Sequence, residues 1–261
     1  SPAGAVSLTG NVTISAAASY VVFGSETWAV TGAWTNASTS ASWSAGTATV
    51  TFTSATSQTM TFAALPGSAP EFYNLTFNSG AAATTFTMAT NPLVWSGILT
   101  VQGGSATTTL ATGGLGLTGG SLTVGNAGIL TANASSVVVS NVSMTGGTSG
   151  ALTITTGAWT VSGNWDTSGA GSALATGTST VTLTGSAKTL NLLAGQTFYN
   201  LTINGTASLL SPVASAGTLT VNAGATLTMT AQTIAFNGLA VAPTGTIVDG
   251  TVNVANFTIT N

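Results

Sequence analysis

Few side chains in this 261-residue sequence could carry out chemistry. Glu26, Glu71, Asp166, Asp249 and Lys188 are the only formally charged groups, and Arg, His and Cys are absent. General acid–base catalysis draws on His, paired carboxylates or a tuned Lys. A carboxylate pair is the one arrangement still open, and Glu26 and Asp166, which flank equivalent Trp pairs, are the couple to weigh. Glycoside hydrolysis would need them about 5–10 Å apart. In a stack of repeats the two copies lie several coils from each other, which speaks against the pair. Glu26 and Asp166 are therefore read as solvated turn residues and Lys188, which aligns with the neutral Gln58 of an earlier repeat, as structural; Glu71 is the remaining candidate catalyst. The chain is read as no enzyme, with no catalytic, cofactor-binding or metal-binding residue.

Other classes fall on the same composition. One Lys cannot displace counterions from a nucleic-acid backbone. Zinc sites use Cys and His, and four scattered carboxylates make a poor cage for another metal. Without His, almost nothing is expected to titrate between about pH 5 and pH 9, so the fold is expected to be insensitive to pH. Mean hydropathy is +0.50, yet no run approaches the roughly 18 apolar residues of a spanning helix. Nor do the aromatics fall at regular strand ends as in a membrane barrel. No membrane insertion is expected. The start, Ser1-Pro2-Ala3-Gly4, suits a mature secreted chain.

What must position these residues is all-β. The chain holds 53 Thr, 29 Ser and 33 Gly. Ala48-Thr49-Val50-Thr51-Phe52-Thr53 and Ser179-Thr180-Val181-Thr182-Leu183-Thr184 alternate with period two, and Thr and Val favour strands. The same patterns recur about 125 residues apart. Trp28-Ala29-Val30-Thr31-Gly32-Ala33-Trp34 aligns with Trp159-Thr160-Val161-Ser162-Gly163-Asn164-Trp165. Phe72-Tyr73-Asn74-Leu75-Thr76 aligns with Phe198-Tyr199-Asn200-Leu201-Thr202. Within each half, Gly-x-Leu-Thr-(Val/Ile) returns at Gly97, Gly120, Gly150 and Gly217. Such spacing fits one coil of a solenoid, with Gly, Asn and Ser at the corners. The expected fold is a parallel β-helix with an internal duplication, about eleven to thirteen coils and roughly 50–60 Å long; the alternative is two tandem β-sandwich domains. Residues 1–27 read as an N-terminal strand segment and candidate inter-subunit donor, 28–150 as the first repeat half, 151–250 as the second, and 251–261 as a C-terminal strand.

At these blocks the sequence resembles β-helical repeats of large secreted and cell-surface proteins of the adhesin and haemagglutinin type, over roughly residues 28–105 and 159–230. In composition it also resembles subunits of archaeal extracellular filaments. The resemblance implies an extracellular structural or adhesive role and supplies no catalytic residue.

Trp28, Trp34, Phe72, Tyr73, Trp159, Trp165, Phe198 and Tyr199 read as repeat-core aromatics, with each Trp pair on one face of a strand if that strand is continuous. A sugar-stacking platform is the rival reading. Asn-x-Ser/Thr sequons make Asn11, Asn36, Asn74, Asn133, Asn141, Asn200, Asn204 and Asn256 glycosylation candidates. Thr arrays could match an ice lattice, but the sequence spacing is too irregular to favour this.

The expected function is a structural subunit of an extracellular filament, pilus-like fibre or sheath. Natural monomers protect strand edges with charge; here charge is nearly absent, so the edges are expected to pair with copies of the chain. Val6–Ser15 and Thr251–Thr260 are the candidate donated strands. The expected partner is the chain itself, with glycans as further candidates and no nucleic acid. An adhesin or carbohydrate-binding stalk module is the alternative.

Overall fold

The computed structural model describes residues 4–15, 18–144 and 150–259. Thr260, the end of one candidate donor strand, lies outside them, as does Thr145–Ser149 next to the expected junction of the two halves.

The chain winds into a parallel β-solenoid of about 11 turns. A 12-stranded sheet runs from Val6–Leu8 at one end to Thr246–Val248 at the other, and six- and nine-stranded sheets form further walls. Val12–Ile14 and Trp34–Asn36 pair as a small fourth sheet. Among the described residues every strand pair is parallel, which excludes tandem antiparallel sandwiches. Twelve strands span about 50 Å along the axis. The only helical element among the described residues is the 3-10 turn Pro66–Ser68.

Period-two alternation becomes burial alternation. In Thr49–Phe52, Val50 and Phe52 point inward while Thr49 and Thr51 face out; Thr180–Leu183 repeats the pattern. Register then stacks like on like. Trp28, Val50, Leu75 and Leu99 form one interior ladder, and Trp159, Val181, Leu201 and Leu219 form another. These are the residues that the two sequence repeats align. The first ladder belongs to the 12-stranded sheet and the second to the nine-stranded sheet, so the aligned segments occupy different walls. Outward rows follow suit: Thr51, Thr76, Thr100 and Thr123 on one wall, Thr160, Thr182, Thr202 and Thr220 on the other. The rows are more regular than the sequence spacing suggests, because loops of unequal length absorb the differences while strands hold register. Hydroxyl rows can repeat every 4.8 Å or so without the repulsion that like charges would bring.

Corners explain the repeated Gly. A β-carbon on Gly120 would collide with the Gly97 carbonyl, and one on Gly217 with the Tyr199 carbonyl. Backbone passes over backbone there, and no side chain fits between. Corners also correct one expectation. Trp28 and Trp34 do not share a continuous strand: Thr27–Val30 and Trp34–Asn36 lie in different sheets, separated by the bend at Thr31–Ala33. Trp159 and Trp165 are divided in the same way.

The candidate donor segments are integrated into their own fold. Val6–Leu8 pairs with Thr27–Val30, and Thr251–Ile259 with Thr233–Val241.

The first half packs its ladders with Phe rings. Phe52 is fully buried, stacks on Phe77 at 5.3 Å and meets Trp34 edge-on at 6.0 Å. Phe52→Ala is predicted to remove about 3–5 kcal/mol of stability, because the flanking coils cannot close over the gap. Urea titration of both proteins measures this as a lower midpoint.

Candidate functional site

The charged residues separate into four at the surface or corners and one in the core. Glu26 accepts a hydrogen bond from the Gly4 amide at 3.2 Å. Asp166 accepts from the Ser168 amide at 3.0 Å and the Ser168 hydroxyl at 2.6 Å, closing a local turn. Lys188 lies half-buried along Gly185, and Asp249 sits exposed at a corner with φ 61°. Glu26 adjoins one strand of the 12-stranded sheet and Asp166 occupies another, six strand steps away. Six steps are about 29 Å, well beyond the reach of a carboxylate pair.

Glu71, a candidate catalyst by its residue type, lies in the core at 2% exposure. One carboxylate oxygen accepts hydrogen bonds from Trp34 Nε1 and Asn36 Nδ2, both at 2.7 Å. The other accepts from the Ala63 amide at 2.8 Å. Its backbone is tied as well: Trp43 Nε1 donates to the Glu71 carbonyl at 2.9 Å, and the Glu71 amide donates to the Val94 carbonyl at 3.0 Å. One side chain thereby joins segments from successive coils.

The electrostatics are one-sided. Lys188, the only cation in the sequence, is five strand steps along the 12-stranded sheet from the strand that follows Glu71, about 24 Å. Burial pushes the Glu71 carboxyl up to about 7, while the Ala63 amide, Asn36 and Trp34 pull it partly back. The expectation of a pH-insensitive fold is therefore corrected. It rested on the absence of His and overlooked a carboxyl lifted into the neutral range by desolvation.

The later sequence block that aligns with this one carries no charge at the matching position. Thr197 stands where Glu71 aligns, and the buried Trp165 indole N–H, the counterpart of Trp34's, has no hydrogen-bond partner. Thr167, the counterpart of Asn36, donates to Gln196 Oε1 at 2.6 Å, and Gln196 Nε2 donates to the Ser172 carbonyl and hydroxyl at 3.0 Å. Chemically, Glu71 is a core hydrogen-bond hub. It has neither a nucleophile nor a cation to work with, and no group of three or more metal-ligating carboxylates occurs among the described residues.

Trp34, Phe72, Trp159, Trp165 and Phe198 are buried as core residues. Trp28 is half-buried against that core, and Tyr73 and Tyr199 are half-buried at corners. Such packing leaves little aromatic surface for a sugar platform; Tyr20, at 58% exposure, is the most exposed large apolar side chain described.

The sequon asparagines divide by role. Asn74 accepts from the Ile98 amide at 2.9 Å and donates to Thr49 Oγ1 at 3.3 Å; Asn200 repeats this with Thr218 and Thr180 at 3.0 and 3.3 Å. Asn141 likewise accepts from the Asn164 amide at 2.8 Å and donates to Ser121 Oγ at 3.1 Å. These amides clasp a coil to both neighbours, and Asn36 is fully buried. Asn11, Asn133 and Asn204 are exposed. Asn256 lies in the last strand, and its side chain is outside the described residues. The corner clasps were missed in the sequence, although the shared Phe-Tyr-Asn-Leu-Thr block already marked Asn74 and Asn200 as equivalent.

Comparison with protein-family models, curated proteins and solved structures finds no match to this chain.

The raised Glu71 carboxyl has a definite sign. The folded state holds this proton up to about pH 7, whereas the ordinary carboxyl value is 4.5. Stability is thus greatest below pH 4.5, falls as pH rises towards 7, and levels off above it. The full change is predicted to be about 3 kcal/mol. Glu71→Gln should flatten this slope, and denaturant titrations of both proteins at a series of pH values test it. Glu71→Ala leaves three buried N–H groups without acceptors and is predicted to destabilise by at least about 3 kcal/mol at pH 5.

Proposed function

We propose that this protein is a structural subunit of an extracellular filament, pilus-like fibre or sheath, assembling with copies of itself through β-strand edges. The observation that carries this is that the outermost strands described have one unpaired, uncharged edge each. Among the described residues, Val6–Leu8 and Thr246–Val248 each pair on one side only within the 12-stranded sheet, and Thr251–Ile259 does so in the nine-stranded sheet. No charged residue lies within any of these strands. An open neutral edge is a template for another strand, and natural proteins usually block it with charge, Pro or a covering segment. A contact between unlike ends does not close on itself, so it propagates. The buried aromatics weaken the adhesin alternative, because a sugar-stacking surface needs its rings outside.

One observation favours a second reading. The register-matched rows Thr51–Thr76–Thr100–Thr123 and Thr160–Thr182–Thr202–Thr220 present hydroxyl and methyl groups at a fixed repeat, as contact with a regular lattice such as ice would need.

Negative-stain microscopy across a concentration series decides the first reading. Fibres that lengthen with concentration are the expected result, and dispersed single rods at high concentration reject it. Ice-growth measurements on the same samples test the second, with unchanged crystal habit as the rejecting result.

A further inference from the structure

We propose that the coil ending in Thr246–Val248 and Thr251–Ile259 is the docking face for the first coil of a second copy, so that subunits stack head to tail and the 12-stranded sheet continues from one molecule into the next. The proposal rests on the filament reading and specifies its interface.

Four features of the molecule point to this occupant. The strands at the two ends, Val6–Leu8 and Thr246–Val248, belong to one parallel sheet, so each presents the edge that the other lacks. The terminal coils also match within that sheet: each contributes a three-residue strand to it followed by a short corner, although the next strands differ, the three-residue Val12–Ile14 lying in the two-stranded sheet and the nine-residue Thr251–Ile259 in the nine-stranded sheet.

Among the described residues, moreover, part of the apolar interior is left uncovered in the last coil. A cavity of about 750 Å³ is lined there by Leu239, Val241, Ile247, Val252 and Val254, with Asp249 also in its wall. Val252, on the inward row opposite Ile234, is 40% exposed. At the near end Leu8, Val12 and Ile14 lie against the core and are only partly covered. Joining the ends would bury both apolar sets, as stacking already does between successive coils within the chain.

Charge is compatible with stacking. The one charge of the last coil, Asp249, sits at the corner leaving Thr246–Val248, where the first coil carries the neutral Thr9-Gly10-Asn11 corner. Glu26 lies at the opposite corner, entering Thr27–Val30. The carboxylates therefore do not face each other across the junction.

Register narrows to two choices. Ile247 is on the inward row, paired with Leu227, and Val6 and Leu8 are on the inward row of the first strand, paired with Trp28 and Val30. Keeping apolar side chains on one face demands that Ile247 meet Val6 or Leu8, since a slip of one residue would turn every side chain over. Ser7 then lies beside Val248 in the first case and beside Thr246 in the second.

Thiol crosslinking tests this directly, because the chain has no Cys of its own. Ser7→Cys, Thr246→Cys and Val248→Cys are made as three separate full-length proteins, all at exposed positions. Assembled mixtures of Ser7→Cys with either partner are treated with a short bismaleimide. Dimers forming in one of these mixtures, and not in any single variant alone, are the expected result. Fibres that give no mixed crosslink, or that crosslink Ser7→Cys to itself, overturn head-to-tail stacking while leaving assembly intact. Absence of fibres in the unmodified protein overturns the filament reading and this interface with it. A second arm uses Val248→Lys/Val252→Lys, which charges only the far end. This variant should not elongate alone, yet in substoichiometric amounts it should stop growth of unmodified fibres by adding through its intact first coil; unhindered growth of unmodified fibres would overturn the polarity.

Discussion

Parallel coils in register place each residue directly over its counterpart about 4.8 Å below, and the remaining features of the molecule follow from that constraint. An inward position must carry a side chain that packs on a copy of its own kind, hence ladders such as Val50–Leu75–Leu99. An outward position must tolerate an identical neighbour at close range. Thr satisfies this with a β-branched body and a neutral hydroxyl, whereas a column of Lys or Glu would repel itself. The 2% charge content is the compositional trace of this geometry. The same neutrality extends to the outermost strands described, Val6–Leu8, Thr246–Val248 and Thr251–Ile259, none of which holds a charged residue.

Against that background Glu71 is an exception with a clear local cause. Two indole N–H groups, an Asn amide and a backbone amide converge on one residue from Trp34, Asn36, Trp43 and Ala63. A carboxylate and its own carbonyl can accept all four. Neutral substitutes are possible, as Thr167–Gln196–Ser172 demonstrates in the second half, but there the Trp165 and Trp159 indoles are left without partners. Each half therefore bears a different burden: a desolvated carboxyl in one, orphaned indole donors in the other. Both are the kind of buried polar penalty that close-packed aromatics with N–H groups impose.

Asn side chains at corners perform the complementary task. Where coils turn, backbone amides leave the sheet ladder, and Asn74, Asn141 and Asn200 supply the missing acceptor while donating to a hydroxyl one coil below. Gly at Gly120 and Gly217 permits the backbone to pass close enough for the turn to form. Corners are thus as specified as walls, by residues of a different kind.

Alternation, repetition and composition are local properties, and they alone indicated an all-β chain with Val, Leu and Phe inside and Thr outside; the tertiary structure decided between solenoid and tandem sandwiches, because its strand pairs are parallel. A strand's two faces are set by neighbours two residues apart, so Thr49–Phe52 declares its inner side without reference to the rest of the chain. Which wall a strand joins depends on where the preceding corner turns, and so the equivalent Trp28 and Trp159 strands fall on different sheets. The burial of Glu71 was likewise decided only in three dimensions, because its donors lie 8, 35 and 37 positions away in sequence. A turn carboxylate and a core carboxylate look the same in sequence; coil stacking brings those donors together, and their convergence makes the interior tenable for a charge-bearing side chain.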